Sequence, residues 1–194
     1  GLASGATVII SQYYGAKRAE LVGYAVHTSV AFSLAAGILM MVGGIIAAPA
    51  MLRAMDTPPE VLDFAVLYIR IYFAGMIPNL IYNMGSGILR AVGDSKRPLY
   101  FLIASCLTNI VLDPILIFRC GLGVQGAALA TVASQMLSAA FVLRFLFGKK
   151  TLLHVRREFL RPRWALMKKT LALGLAPFVV QTTEAAVSIS FNAS

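Results

Sequence analysis

The sequence predicts an all-α integral membrane protein, a bundle of helices that cross the bilayer several times. Hydrophobic residues make up 59% of the 194 residues and charged residues only 13%. The mean hydropathy of +0.80 is far from the balance of soluble domains. Several nearly uncharged runs approach the length of about 20 residues that a helix needs to cross the hydrocarbon. They are continuously apolar rather than alternating, which favours helices over the strands of a β-barrel.

Four complete spans and two partial ones account for most of the chain. The complete spans are predicted at residues 24–52, 62–89, 99–118 and 125–147. The first has no Asp, Glu, Lys or Arg, the second has Asp63 and Arg70, the third has Asp113, and the fourth has Arg144 near its end. Residues 1–11 and 170–194 are apolar too, but the first run lacks an initiator Met and the second stops without a charged loop. We therefore expect a fragment of a longer protein.

Small residues recur inside these spans and predict close packing of helix backbones in lipid. The glycines concerned include Gly37, Gly43, Gly44, Gly87 and Gly126. A packed bundle is therefore expected rather than isolated anchors.

Basic residues lie mainly at alternate ends of the spans. One side carries Lys17, Arg18, Arg90, Lys96, Arg97, Arg144 and the basic residues of 149–169, whereas the other carries Arg53 and Arg119 with Asp56, Glu60 and Asp63. By the positive-inside rule the first side is cytoplasmic, which predicts a multi-pass protein of the bacterial plasma or inner membrane. The net charge of +9 is thus a topology signal, and no nucleic-acid partner is expected.

Residues 149–169 mix basic and apolar side chains and predict an amphipathic connector on the inner leaflet, interrupted at Pro162. No catalytic or metal-binding pattern is visible in the sequence. His27 and His154 have no Cys, Asp or Glu at ligand spacing, and His27 is interpreted as an interfacial polar residue. Cys106 and Cys120 would be roughly 20 Å apart along one helix, too far for a disulfide. We therefore expect neither an enzyme nor a cofactor.

Asp113 is a carboxylate inside a predicted span. Asn109 lies one turn earlier on the same helical face, and Pro114 follows directly. Because hydrocarbon disfavours an ionised carboxyl group, such a residue needs a proton, a bound cation or a polar partner. Asp113 is therefore a candidate ion switch. The alternative is that it lies close enough to the outer interface to be hydrated and merely ends a Pro-disrupted helix.

Thr131 is expected at the same depth as this pair. A helix that runs outward from Leu99 places Asp113 about 21 Å along its axis, in the outer half of the membrane. The next span enters from outside near Gln125, so Thr131 lies about 9 Å into it. A carboxylate, an amide oxygen and a hydroxyl at one depth suit either a proton or Na⁺.

Other polar residues in the spans extend the set of candidates. Glu184 is a second carboxylate in an apolar run, and pairing or packing at a helix contact is its alternative role. The candidate residues of a substrate cavity are Asn79, Asn83, Ser86 and Gln181.

Four motifs in order along the chain resemble the multidrug and toxic compound extrusion (MATE) family. They lie in residues 5–18, 88–98, 109–114 and 121–131. The resemblance implies twelve helices in two six-helix lobes, of which this chain covers helices two to six and part of helix seven. Residues 1–169 then form part of the N-terminal lobe with its connector, and residues 170–194 begin the second lobe. Helix one and the rest of the second lobe are not in the chain.

The resemblance also implies a function and a site. Asp113 and Asn109 match the polar pair of the prokaryotic proton-site branch, with Thr131 beside them, and the resemblance implies a partner aspartate on helix one, which is not in this chain. Glu184 looks like the glutamate of helix seven. The implied activity is cation-coupled export of amphipathic, often cationic, organic molecules by alternating access. The coupling ion is H⁺ or Na⁺, and an Asp with Asn and Thr partners favours H⁺.

Two alternatives stay open at this point. A flippase of lipid-linked saccharides shares the fold but needs a cationic cavity for phosphates, and only Arg70 lies well inside a span. A membrane subunit that does not transport needs no carboxylates in its spans, and Asp113 and Glu184 argue against it.

Overall fold

The computed structural model describes residues 2–148 together with Ala172, Val179, Val180 and Thr183. The helices are α1 (Leu2–Gly15), α2 (Ala19–Ala54), α3 (Pro59–Ala74), α4 (Met76–Ala91), α5 (Lys96–Pro114) and α6 (Gly123–Leu146). A π-helical turn, Ile115–Arg119, continues α5. No strand occurs among these residues, which confirms the predicted all-α class.

Within residues 2–148, four spans are long and apolar enough to cross a membrane, as predicted. They are Ala19–Ala54, Pro59–Ala91, Lys96–Arg119 and Gly123–Leu146. α2 begins at Ala19, before the predicted start of the span at residue 24. Helical hydrogen bonds continue beyond the apolar run, whereas hydropathy marks only the apolar part of the helix. The predicted connector at 149–169 lies outside the described residues, and so does nearly all of the last apolar run.

Large apolar side chains on these helices are widely exposed. Leu39 is 75% exposed, Ile46 72% and Phe118 82%. A soluble domain rarely leaves such extensive apolar faces in water, whereas lipid tails or further helices solvate them favourably. The exposed faces therefore agree with a multi-pass membrane protein.

Pro78 explains why the second span is broken into α3 and α4. Proline has no N–H to donate to the carbonyl of Ala74, and its ring crowds that carbonyl. The chain tightens just before the proline, where the N–H of Gly75 donates to the carbonyl of Tyr72, three residues earlier, at 3.0 Å. A Cβ on Gly75 would lie 2.8 Å from Val132 on α6, so α6 packs directly against the break.

Pro114 has a similar effect at the end of α5. It cannot donate to the carbonyl of Ile110, and the next residues widen into the π-helical turn, in which the N–H of Cys120 donates to the carbonyl of Ile115 at 3.0 Å. Gly126 on α6 meets this turn. A Cβ at Gly126 would lie 2.8 Å from the carbonyl carbon of Leu116, which is a contact between backbones.

The described residues belong to two compact units. The first unit takes in the described parts of Gly1–Phe32, Asn83–Ser95 and Leu146–Ser194. Its largest fully buried side chains are Ile10, Val26, Ile88, Leu89 and Leu146. α1 and α4 approach closely there, because a Cβ on Gly87 would lie 2.7 Å from the hydroxyl oxygen of Thr7.

The second unit takes in Ser33–Tyr82 and Lys96–Phe145. Gly37 lies against Ile77, where an added Cβ would come 3.0 Å from the neighbouring Cα, and Gly44 lies against the ring of Phe73. These contacts show glycines that admit close packing, as the sequence predicts. Gly43 differs, since nothing lies within 4 Å of a Cβ added there.

A buried hydrogen bond also joins α5 to α6 in the second unit, and its removal gives a modest prediction. The hydroxyl of Ser105 donates to the carbonyl of Ser134 at 2.6 Å. We expect Ser105→Ala in the full-length protein to lower the free energy of unfolding by about 0.6 kcal/mol, the mean for such interhelical bonds. Ser11→Ala is the matched control, because the Ser11 hydroxyl bonds only within its own helix. Equal effects of the two changes on the unfolding midpoint in detergent would contradict the prediction.

Candidate functional site

Asp113 and Asn109 lie one turn apart on α5, and both side chains are half-buried. The Oδ1 atom of Asp113 and the Nδ2 atom of Asn109 are individually buried, and neither has a hydrogen-bond partner among the described residues. Buried polar atoms are almost always paired, since an unsatisfied group costs about 1–3 kcal/mol. The structure therefore places an acceptor and a donor one turn apart on one helix, neither of which bonds to a described residue.

Such a pair can respond to a proton or a cation. An ionised Asp113 needs a donor or a positive charge near Oδ1, whereas a protonated Asp113 needs an acceptor for its own proton. The carbonyl of Ile110, one turn before Pro114, receives no N–H from that proline and is such an acceptor. Two protonation states thus call for two sets of partners at the same position.

Thr131 lies on α6 and is half-buried. Its hydroxyl donates to the carbonyl of Ala127 in its own helix at 3.0 Å. No hydrogen bond joins Thr131 to Asp113 or Asn109, so the three-residue site remains a prediction. The oxygen of Thr131 keeps its lone pairs and can still accept a hydrogen bond or coordinate a cation.

Glu184 and Gln181 lie outside the described residues, so their predicted roles stay predictions. The other three cavity candidates share α4 and follow one face of it, because they are spaced by four and three residues. Asn79 is half-buried, Asn83 is exposed, and Ser86 is only 3% exposed. The hydroxyl oxygen of Ser86 is buried without a hydrogen-bond partner, a feature that the sequence did not reveal.

His27 is buried among helices, whereas its predicted interfacial position concerns its depth in the membrane and stays a prediction. His27 is 6% exposed, and its Nδ1 atom lies 3.1 Å from the carbonyl oxygen of Gly23, one turn earlier. The neighbouring Thr28 and Ser29 are buried as well. Small polar side chains that bond within their helix tolerate a low dielectric, so their polarity alone does not mark an interface.

Arg70 on α3 has a partner that sequence reasoning missed. Pro49 in α2 cannot donate to the carbonyl of Ile45, and the Nε atom of Arg70 donates to that carbonyl at 3.4 Å. The proline four residues after Ile45 was the available signal, but the sequence does not say which side chain reaches the freed carbonyl. Arg70 is otherwise exposed.

Metal-binding clusters are absent from residues 2–148 and the four further described positions, where no three His, Cys, Asp or Glu side chains converge. Cys106 and Cys120 are free thiols.

Comparison with known proteins places these features in a family. The MatE family model matches residues 1–115. A Bacillus subtilis (strain 168) protein named probable multidrug resistance protein YoeA is 37% identical over 154 residues, which cover 77% of this chain and 33% of YoeA. The names of the relatives describe resistance and export rather than catalysis.

Solved structures of MATE transporters share the fold. An outward-facing multidrug resistance MATE transporter of the MOP superfamily aligns with a TM-score of 0.91 at 30% identity, over 97% of this chain and 42% of that one. An inward-facing structure aligns with a TM-score of 0.85 at 31% identity, over 90% of this chain and 40% of that one. The chain thus spans between 33% and 42% of the length of these relatives.

Proposed function

This chain belongs to the MatE family of transporters, and we propose that the protein it is part of exports amphipathic organic compounds in exchange for a cation. One observation carries the coupling part of the proposal. Asp113 and Asn109 present a buried acceptor and a buried donor on a membrane-spanning helix, and no described residue bonds to either atom. Ionisable residues in such positions mark ion or substrate pathways.

The proposed mechanism is alternating access driven by the occupancy of Asp113. Binding of a proton or Na⁺ neutralises the carboxylate and stabilises one opening of the transporter, whereas binding of the organic substrate stabilises the other. The existence of inward-facing and outward-facing structures among the relatives supports two such states. Asn109 acts as a positioning residue, because its amide donates to the carboxylate when Asp113 is ionised.

We propose H⁺ as the coupling ion. Na⁺ favours several oxygen ligands at one point, whereas the neighbour of Asp113 on the same face of α5 is the neutral amide of Asn109. A proton needs only the carboxyl oxygen and one acceptor, and we assign that acceptor role to the backbone carbonyl of Ile110, to which Pro114 has no N–H to donate. The proposed assignment therefore rests on the simpler set of ligands.

The test is transport by the full-length protein in proteoliposomes with a fluorescent lipophilic cation as substrate. We expect an imposed pH gradient to raise the initial rate at least about tenfold over the rate without a gradient, within the usual range of coupling free energies. A Na⁺ gradient at constant pH should have no such effect, and a protonophore should remove the effect of the pH gradient. Transport that follows the Na⁺ gradient would refute proton coupling, and transport that ignores both would refute cation coupling.

A flippase for lipid-linked saccharides has weaker support. Recognition of a diphosphate needs several convergent cations. Among the described residues, Arg70 is the basic residue that lies well inside a span rather than near its ends. Its Nε atom already donates to the carbonyl of Ile45. Export of amphipathic compounds therefore remains the proposal.

A further inference from the structure

A cavity of about 380 Å³ opens at the turn between α1 and α2, within the first unit. Its lining residues are Tyr14, Gly15, Lys17, Arg18, Ala19 and Val22. This volume lies in the range of small-molecule sites. None of the described candidate residues, Asp113, Asn109, Thr131, Asn79, Asn83 and Ser86, lines it, and the inference that follows does not rest on the proposed transport function.

Two adjacent cations edge this cavity. The side chains of Lys17 and Arg18 are exposed, and neither makes an ion pair with a described residue. Arg18 also accepts the N–H of Val22 on its carbonyl, at 3.1 Å, which fixes the first turn of α2 beside it. An uncompensated pair of positive charges at the mouth of a cavity favours an anionic ligand.

The backbone turn at the end of α1 fixes the position of Lys17. Its φ of +55° lies in the left-handed region, which a lysine adopts at a cost and glycine would adopt freely. The turn is closed by hydrogen bonds from Lys17 N–H to the carbonyl of Tyr14, at 3.0 Å, and from Arg18 N–H to that of Tyr13, at 3.1 Å. The same pattern closes the end of α2, where Asp56 has a φ of +52°, so this C-cap fixes the direction of the chain at Lys17 and is not by itself a mark of a ligand site.

The rest of the cavity is apolar. Val22 is 3% exposed and contributes a buried aliphatic wall, Ala19 and Gly15 are small, and Tyr14 is 41% exposed. Tyr14 therefore offers both an aromatic face and a hydroxyl. Cations at the mouth and aliphatic walls inside fit an amphiphile with an anionic head better than a fully hydrated free anion.

We propose that this cavity binds the phosphate head of an anionic phospholipid of the inner leaflet, with Lys17 and Arg18 as the phosphate ligands. The positive-inside rule puts this turn on the cytoplasmic side, where basic pockets between membrane helices meet anionic headgroups. The glycerol and the first methylenes of the lipid lie against Val22 and the ring of Tyr14. Free phosphate has no apolar part to occupy that wall.

The test is lipid binding by the purified full-length protein, followed by native mass spectrometry and by thermal unfolding in detergent. The probes are phosphatidylglycerol, phosphatidylcholine with the same acyl chains, and inorganic phosphate. We expect phosphatidylglycerol to bind most tightly and to raise the unfolding temperature. Lys17→Gln combined with Arg18→Gln should weaken its binding by about 25-fold, about fivefold for each cation, as follows from ~1 kcal/mol for each Lys or Arg near an anionic surface.

Two further variants keep the test independent of folding and of net charge. Lys96→Gln combined with Arg144→Gln also removes two exposed positive charges, but neither residue lines the cavity, so binding should change less than about twofold. Lys17→Arg with Arg18 intact should retain binding. The proposal is overturned if the two double variants lose binding equally, if phosphatidylcholine binds as well as phosphatidylglycerol, or if inorganic phosphate competes the lipid away at equal concentration.

Discussion

Replacement of Asp113 by Asn should remove the dependence of export on the pH gradient. The amide has nearly the shape of the carboxyl group but cannot exchange a proton or neutralise a cation at neutral pH. In proteoliposomes with the full-length protein, we expect the gradient-driven initial rate to fall at least about tenfold, close to the rate without a gradient. Binding of the fluorescent substrate should persist, because coupling rather than the fold is lost.

Stability separates this role from a structural one. No described residue bonds to the Oδ1 atom of Asp113, so exchange to a neutral amide should leave the free energy of unfolding unchanged or raise it slightly. Asp63→Asn is the matched control, because Asp63 is exposed near the start of α3. It should export at the parental rate. Normal gradient-driven export by Asp113→Asn, or a loss of folding in place of a loss of coupling, would contradict the assignment.

A side chain at Gly126 should disrupt the junction of α5 and α6. A Cβ there would lie 2.8 Å from the carbonyl carbon and 2.9 Å from the carbonyl oxygen of Leu116. Backbone atoms cannot rotate away as a flexible side chain can, so α6 must separate from the π-helical turn. We expect Gly126→Val in the full-length protein to lower the free energy of unfolding by about 1–3 kcal/mol, the usual cost of overpacking. Thermal unfolding in detergent and the yield of monodisperse protein measure the effect.

Gly43→Val is the matched control for this change. Gly43 is also inside a membrane-spanning helix, but no atom of the described residues lies within 4 Å of a Cβ added there. The same substitution should be close to neutral at Gly43, since a side chain there also restricts the unfolded chain. Similar losses at both glycines would show that valine itself, rather than the contact with Leu116, destabilises these helices.

The sequence by itself determined the class of the protein and the four complete spans within residues 2–148. Long uncharged runs leave few alternatives, because every backbone N–H and carbonyl in hydrocarbon must be paired within its own segment, and a helix achieves this locally. The relation of Asp113 to Asn109 was also predictable, since a spacing of four residues on a helix puts two side chains on one face whatever the helix packs against. The family followed from four motifs in order, which the match over residues 1–115 confirms.

Features that depend on a second element were decided by the tertiary structure. Each of Pro49, Pro78 and Pro114 leaves the carbonyl four residues earlier without its helical N–H donor, but the sequence does not predict how the chain or a neighbour responds. Near Pro49 the guanidinium of Arg70 on α3 donates to the freed carbonyl. Before Pro78 the helix tightens at Gly75, and after Pro114 it widens into a π-helical turn. Those outcomes depend on which neighbour approaches and how closely.

The same reason explains which glycines matter and where polar groups lie. Gly43 and Gly44 are adjacent in sequence, yet only Gly44 meets another helix, because the two point about 100° apart around α2. His27 is polar and yet buried, since burial is set by the surrounding helices and not by the residue type. Local periodicity fixes what a helix presents on each face, whereas contact, burial and cavities arise only when a second helix covers that face.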